Sequence, residues 1–272
     1  MLGRLISYAI GGVFVLTLLV AAFAPREAVV EDPNHALHKY PMKISWAQDG
    51  VFGTFDRAQL QRGFQVYKEV CAACHGLERI AFRNLVDIGF SEPEVKAIAK
   101  AYEVASIDDK TGEASTRPAV ASDYFPSPYP NEVAARAANN NALPPDLSLI
   151  TKARQGGKDY LHSLLVGYGQ PPAGHEVPEG LYYNPYFANI NIAMPPPLAS
   201  AGQVAYAEGQ PEPTIDQMSR DVSAFLDWAA EPKAETRKRT GVAVMIFLLI
   251  LTGLSYLAYR RVWAELKSRG AH

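Results

Sequence analysis

The only two cysteines of the chain, Cys71 and Cys74, stand two residues apart and are followed directly by His75. C-x-x-C-H is the c-type haem attachment signature, in which both thiols add to the haem vinyl groups and the histidine binds the iron. One helical turn brings two thiols with this spacing and the adjacent imidazole to the same side of the chain. A structural zinc site would need a second pair of ligands and a thioredoxin-like dithiol a βαβ unit, and the sequence has neither. The run therefore predicts one covalently attached haem c.

The second iron ligand is predicted to be a methionine. An electron carrier of this kind fills both axial positions of the iron, and a thioether sulfur in the sixth position raises the reduction potential. Met1 and Met245 lie in hydrophobic end segments and Met218 lies on a predicted helix, which leaves Met42 and Met194. Three consecutive prolines follow Met194 and stiffen an apolar segment, which favours Met194 as the ligand. Ligation by a second histidine, or an open sixth position, stays an alternative at this point.

Two hydrophobic segments frame the chain. Residues 1–24 are typical of a secretory signal peptide, with an uncleaved N-terminal anchor as the alternative. Residues 240–259 carry no charge, so they predict one transmembrane helix between a basic linker at 233–239 and a basic tail at 260–272. Lysine and arginine are equally numerous on the two flanks, so the orientation follows from the signal peptide. The body, residues 25–232, is then exported and the tail is cytoplasmic.

The exported body is acidic. The whole chain is 48% hydrophobic and 20% charged, which suits a globular domain with some membrane content. Residues 25–232 hold 26 acidic and 17 basic side chains, a difference of −9. Such a surface attracts basic partners and argues against binding to nucleic acid, although net charge can also serve solubility alone.

The fold class predicted for the body is mainly α, a class I cytochrome c-like haem domain with long irregular loops. Residues 56–71 place apolar side chains on one helical face that leads into the cysteine motif. Thr214 begins a second amphipathic helix that ends before Pro232, and the two helices would cross beside the haem; two unrelated surface helices are the alternative. Shorter helices are predicted between them. Residues 168–213 have no useful helical period, which is typical of a functional or cofactor-wrapping segment.

Several segments together resemble the cytochrome c1 family, the haem subunits of ubiquinol–cytochrome c oxidoreductase (bc1) complexes. The resemblance covers the chain from about Trp46 to the C-terminus. It is carried by Gln61-Arg62-Gly63-Phe64-Gln65-Val66-Tyr67 before the haem motif, Ala142-Leu143-Pro144-Pro145-Asp146-Leu147-Ser148, Asn184-Pro185-Tyr186-Phe187, Trp228-Ala229-Ala230-Glu231-Pro232 and the single basic-ended C-terminal anchor.

The resemblance implies a role for each matching residue. Cys71 and Cys74 would bind the haem covalently, and His75 and Met194 would be its axial ligands. Arg154 would pair with a haem propionate. The pocket would also be lined by Pro144, Pro145 and Tyr160. Some bacterial relatives brace the long irregular segment with an additional cysteine pair, which this chain lacks, so packing alone would hold that segment.

The function implied is electron transfer, without catalytic residues or a catalytic pocket in this subunit. One electron would come from a Rieske iron–sulfur protein and pass to a cytochrome c, and the transmembrane helix would dock on cytochrome b within a dimeric complex. The resemblance places the chain in a bacterial inner membrane as a single-pass protein with a periplasmic haem domain. The alternatives are a haem sensor or gas-binding protein, a haem peroxidase, and a free-standing anchored cytochrome c that serves a terminal oxidase.

Overall fold

Helices make up most of the regular structure, as predicted. The computed structural model describes residues 2–23 and 36–269, and the N-terminal helix forms a unit separate from the one that begins at His38. In chain order the helices and strands are α1 (Leu2–Phe23), α2 (Arg57–Val66), α3 (Glu92–Lys100), β1 (Glu103–Ile107), β2 (Ala114–Pro118), α4 (Glu132–Ala138), α5 (Ile150–Ala153), α6 (Gly157–Val166), β3 (Tyr182–Tyr183), β4 (Asn191–Ile192), α7 (Ile215–Ala230) and α8 (Ala234–Arg269).

The two helices that the sequence predicts to cross, α2 and α7, begin at side-chain caps. Asp56 caps α2 by accepting a hydrogen bond from the Ala58 backbone N–H at 2.9 Å. Thr214 caps α7 by accepting from the Gln217 N–H at 3.1 Å. The Thr214 N–H donates to the Glu212 carbonyl at 2.8 Å and the Gln217 side-chain amide donates to Asp221, so Gln217 does not return a capping bond to Thr214.

The predicted contact between α2 and α7 is confirmed. Gly63 lies in α2 at a point where a Cβ atom would stand 2.0 Å from the Asp221 carbonyl oxygen and 2.7 Å from Phe225 Cβ. Only a residue without a side chain lets the two backbones come this close. The crossing therefore explains a glycine inside a helix, where it costs about 1 kcal/mol relative to alanine.

An aromatic cluster fills the core beside this crossing. The Phe64 ring lies 5.6 Å from Phe225 and 6.1 Å from Phe125, and the Phe82 ring lies 4.2 Å from Phe125. All four side chains are buried. Full burial of one such ring stabilises the fold by about 1.5–3 kcal/mol. The cluster holds the C-terminal end of α2, and with it the cysteine motif, in a fixed position.

An antiparallel hairpin, β1–β2, spans residues 103–118 and was not expected from the sequence. Its register pairs Glu103 with Pro118 and Ile107 with Ala114. The strands are short, alternate only between exposed and half-buried residues, and therefore carry a weak strand signal. A second small sheet pairs β3 with β4 inside the long irregular segment.

The C-terminal helix corrects one predicted boundary. Residues 234–239, predicted as a basic linker, form the first turns of the continuous 36-residue helix α8. They contain no glycine or proline, and lysine, arginine and glutamate are good helix formers. In the described part of the chain two helices are long and apolar enough to cross a membrane, Gly3–Phe23 and Ala234–Ala264, and each contains an 18-residue stretch with a mean hydropathy of 2.3. The first is compatible with both a signal peptide and an anchor.

Candidate haem-binding site

The cysteine motif sits on a tight turn at the end of α2. Residues Tyr67–Cys71 form a π-helical turn, in which the Ala72 N–H donates to the Tyr67 carbonyl at 2.8 Å. The N–H groups of Cys74 and His75 then both donate to the Cys71 carbonyl, at 3.1 and 2.9 Å. This turn holds the two thiols and the imidazole together. π-Helical turns occur frequently at functional sites.

The imidazole of His75 is held in the tautomer that a metal ligand needs. Its Nδ1 lies 2.8 Å from the carbonyl oxygen of Pro145. A carbonyl oxygen can only accept, so Nδ1 carries the proton and the lone pair of Nε2 is left for a metal. Burial lowers the pKa of His75, although Pro145 and Asp146 oppose it, so the ring is held neutral.

The two thiols fit covalent attachment better than a zinc site. Both cysteines are free and half-buried. Burial, with a smaller contribution from Cys74, raises the pKa of the Cys71 thiol to about 12, and a structural zinc site would need four ligands. Within residues 2–23 and 36–269 no three His, Cys, Asp or Glu side chains gather as a metal cluster.

The segment that follows Pro144 and Pro145 is tied to the chain just after the motif. Asp146 accepts from the Glu78 N–H at 2.8 Å and, through its other oxygen, from the Ser148 N–H at 2.9 Å. The Leu147 N–H donates to the Gly76 carbonyl at 2.9 Å. These bonds hold Pro145 where its carbonyl meets His75. The sequence pattern does not single out Asp146 for this task.

A second group of predicted site residues lies around Tyr168. Its hydroxyl donates to the Met194 carbonyl at 3.0 Å, and burial, together with nearby Tyr160 and Tyr182, raises its pKa. Burial also raises the pKa of Tyr160, and the positive charge of Arg154 opposes this rise. Tyr168, which sequence reasoning missed, holds the Met194 carbonyl through its hydroxyl.

Arg154 is exposed and available to an acidic group. Its guanidinium donates only to the neighbouring Ala153 carbonyl, at 3.2 Å, and none of the carboxylates in the described residues forms an ion pair with it. A free guanidinium suits the carboxylate of a propionate. No hydrogen bond among the described residues joins Arg154, Tyr160 or Met194 to the turn that carries His75. Ligation of a haem iron by Met194 therefore stays a prediction.

The long irregular segment is held by hydrogen bonds as well as by packing. The buried Asn184 donates through its side-chain amide to the Leu164 carbonyl at 2.7 Å. Gln203 accepts from the Ala199 N–H and donates to the Pro197 carbonyl at 2.9 Å, next to the buried Leu198. The expectation that packing alone holds this segment is therefore incomplete, because side-chain hydrogen bonds also hold it.

The residues present fit a c-type haem. Two adjacent thiols can attach its vinyl groups, a neutral imidazole offers Nε2, and a free guanidinium can meet a carboxylate. A family model described as the Cytochrome C1 family matches residues 46–266. The chain belongs to the cytochrome c1 family.

Curated relatives agree with this assignment. A Candida albicans protein named cytochrome b-c1 complex catalytic subunit, mitochondrial, is 46% identical over 97% of this chain and 92% of its own length. Cytochrome c1, heme protein, mitochondrial, of Saccharomyces cerevisiae is 48% identical over 87% of this chain and 75% of its own length. A Bradyrhizobium diazoefficiens protein named cytochrome b/c1 is 48% identical over 92% of this chain, and the match spans 40% of that longer protein.

Within this cytochrome c1 family member the structure brings the predicted site residues into two groups. Cys71, Cys74 and His75 lie on one turn, against Pro145. In the other group Tyr168 is hydrogen-bonded to the Met194 carbonyl, Tyr160 acts on Tyr168 electrostatically, and Arg154 acts on Tyr160 in the same way. The prediction of shorter helices between α2 and α7 is confirmed by α3, α4, α5 and α6.

Proposed function

We propose that this chain is the electron-transfer subunit of a bc1 complex, which accepts one electron from a Rieske iron–sulfur protein and passes it to a cytochrome c. The observation that carries the proposal is the His75–Pro145 hydrogen bond on a C-x-x-C-H turn, in a chain of the cytochrome c1 family. This bond leaves the lone pair of His75 Nε2 available to bind a metal.

The residues of the two groups would divide the task of holding the cofactor. Cys71 and Cys74 would hold one haem c by adding their thiols to its vinyl groups, and His75 Nε2 and Met194 Sδ would bind its iron. When bound, the haem supplies reversible one-electron chemistry at its iron. Arg154 orients it through a propionate.

The chain's other predicted pocket residues shield the site from water. Pro144 and Tyr160 are half-buried and would line the pocket beside Pro145. Exclusion of water raises the energetic cost of charging the iron site and so tunes the potential. The proposal gives this subunit no acid–base or nucleophilic residue, so its part in the oxidoreductase is redox alone.

The membrane position follows from α8. A helix of 36 residues is about 54 Å long, more than the roughly 30 Å of a hydrocarbon core, so both ends protrude. We place the haem domain on the periplasmic side of a bacterial inner membrane and the C-terminal end of α8 in the cytoplasm. The names of the Candida albicans and Bradyrhizobium diazoefficiens relatives support association with cytochrome b. A dimeric complex with the Rieske protein completes the proposal.

Purification from native membranes tests the assignment to a complex. Affinity capture of the tagged full chain in mild detergent should bring down a cytochrome b and a Rieske protein in equal amounts, with quinol-dependent reduction of added cytochrome c. A protein that purifies without either subunit, yet is reduced by another donor, would be the free-standing anchored cytochrome c instead.

Substitution of Met194 tests the sixth ligand. Met194→Leu should lower the midpoint potential by on the order of 0.1 V, since axial ligands set haem potentials over a range of roughly 0.8 V. The reduced variant should also bind carbon monoxide, which the parent should not. Met42→Leu, at the other candidate methionine, is the matched control and should leave the potential and spectrum unchanged. A Met194→Leu protein with the parental potential would rule this ligand out.

A further inference from the structure

A short turn, residues 50–53, carries two apolar side chains into solvent. Phe52 is 84% exposed and Val51 is 60% exposed, although the domain has a well-packed core. The turn is closed by a hydrogen bond from the Gly53 N–H to the Gly50 carbonyl at 3.4 Å, and Gly50 adopts a positive φ of 75°. The two exposed side chains are therefore carried by a turn with a defined backbone conformation.

This turn is fastened to the first turns of α8. The Lys238 ammonium donates to the carbonyls of Gln48 and Gly53, at 2.5 and 3.3 Å, and so clamps both ends of the turn. Glu235, one turn earlier, accepts from the Phe55 N–H at 2.7 Å. The position of Phe52 along α8 is therefore fixed by the fold.

The turn reaches the level at which the uncharged stretch of α8 begins. That stretch starts at Thr240, and a shallow groove is lined by Val51 and Phe52 on one side and Val242 on the other. Val242 is half-buried, whereas every other described residue from Thr240 to Ala264 is exposed. The turn thus covers the helix about one half-turn inside the apolar stretch.

The charges around the turn suit the surface of an anionic membrane. Arg239 lies on the rim of the same groove and is exposed. Asp49, the acidic residue beside the turn, is paired with the Lys158 ammonium at 2.9 Å. Basic side chains next to an apolar span pair with lipid phosphates, and aromatic side chains favour the boundary between headgroups and acyl chains.

We propose that Val51 and Phe52 insert into the headgroup–acyl boundary of the bilayer that α8 crosses, with Arg239 on a lipid phosphate, so that the haem domain has a second membrane contact. The inference rests on the proposed membrane insertion of α8. Two contacts, one spanning and one interfacial, fix the tilt of a domain relative to the membrane where a single helix would leave it free to rotate.

Spin labelling of the full-length holoprotein tests the insertion. Cys71 and Cys74 are consumed by haem attachment, so a nitroxide reacts with the single new thiol of Phe52→Cys, and Phe52 is too exposed for its loss to unfold the domain. The protein is reconstituted in nanodiscs of phosphatidylcholine and phosphatidylglycerol. Accessibility of the label to oxygen, which partitions into lipid, is compared with accessibility to a water-soluble nickel chelate.

Two labelled variants serve as references. Leu249→Cys lies in the middle of the apolar stretch and reports the acyl region, and Val133→Cys, at a 78% exposed valine of α4, reports water. The ratio of oxygen to nickel accessibility at 52 should be several-fold above that at 133. If the ratio at position 52 equals that at 133 while the ratio at 249 is lipid-like, this inference is wrong but the membrane insertion of α8 stands. If the ratio at 249 is that of a label in water, both proposals are wrong.

The same label distinguishes lipid from a neighbouring subunit. In the complex purified from native membranes, a label at 52 should keep its lipid-like ratio. If it becomes inaccessible to both oxygen and the nickel chelate, a protein surface covers Phe52, and the proposal of a lipid contact is wrong.

Discussion

At the scale of single residues, Asp146 holds the Pro145 carbonyl close to the C-x-x-C-H turn, so that this carbonyl can orient His75. Its two carboxylate oxygens accept from the N–H groups of Glu78 and Ser148. Each bond gives a backbone N–H group an acceptor in place of the water that it loses when the segment packs against Gly76. The carboxylate thereby keeps Pro145 within hydrogen-bond reach of His75.

Asp146→Ala should lower the free energy of unfolding by about 1–3 kcal/mol, because it removes acceptors from two backbone donors. Asp146→Asn, which keeps one acceptor oxygen, should lose about half as much. Urea unfolding of the holoprotein in detergent measures both. Equal stability of the alanine variant and the parent would show that the two bonds do not hold the turn.

His162 is a buried histidine outside the candidate site. It is 2% exposed, its Nε2 lies 2.8 Å from the Asp216 carboxylate, and none of the described residues offers its Nδ1 a hydrogen-bond partner. Protonation would turn Nδ1 into a buried donor without an acceptor. Burial therefore lowers the pKa of His162, and the opposing charge of Asp216 does not restore it.

Stability should fall as the pH falls through the range in which His162 titrates. The folded-state pKa lies below the ordinary value of about 6.5, so between the two values the unfolded state binds more protons. Acidification from about pH 7.5 to 5.5 should thus lower the free energy of unfolding. His162→Gln keeps a donor toward Asp216 without a titrating group and should flatten the profile. Parallel profiles for the two proteins would contradict the assignment.

At the scale of elements, the crossing of α2 and α7 positions everything attached to the end of α2. Besides the close approach at Gly63, Arg62 forms an ion pair with Asp221 at 2.8 Å, and the two side chains are 10% and 0% exposed. Removing one partner of such a buried pair costs about 3–5 kcal/mol, since it leaves an uncompensated charge. The crossing is therefore specified by one absent side chain and one buried pair.

Gly63→Ala should destabilise the protein by about 1–3 kcal/mol, since its Cβ would overlap the α7 backbone and force the helices apart. On helix propensity alone the same change would stabilise α2 by about 1 kcal/mol. A stabilised variant would therefore show that the close contact between α2 and α7 is not required. Ala58→Gly, the opposite change at an exposed position of α2, calibrates the propensity and should also destabilise. Thermal unfolding of both variants gives the comparison.

At the scale of the whole molecule, acidic charge dominates the haem domain, which we place outside the cytoplasm. The difference of −9 over residues 25–232 includes a local difference of −4 between Asp87 and Glu113, a segment with seven carboxylates and three lysines. A field of this sign attracts a basic partner over a distance set by the Debye length, about 30 Å at 0.01 M salt and 8 Å at 0.15 M.

The rate of electron delivery to a basic cytochrome c should therefore fall several-fold between about 0.01 M and 0.15 M salt. Stopped-flow reduction of the acceptor by the pre-reduced complex measures it, with an uncharged small-molecule oxidant as the control that should show no such dependence. A rate that does not change with ionic strength would show that the acidic surface does not steer the partner.

Much of this molecule could be predicted because its signals are local. The haem turn follows from three residue types at fixed spacing, α2 and α7 from periodicity and caps, and the span of α8 from an uncharged run. The β1–β2 hairpin escaped prediction because its strands are short and half exposed, and the start of α8 because charge density says nothing about helicity.

The sequence by itself determined which side chains are candidates to attach and ligate a haem, since Cys71, Cys74 and His75 lie within one turn. Only the tertiary structure decided which partners orient them. Pro145 meets His75 across 70 residues of chain and Tyr168 meets Met194 across 26, and both partners use generic groups, a backbone carbonyl and a hydroxyl. Such groups carry no sequence signature, so only the packing of α2, α6 and α7 selects the ones that come within hydrogen-bond distance.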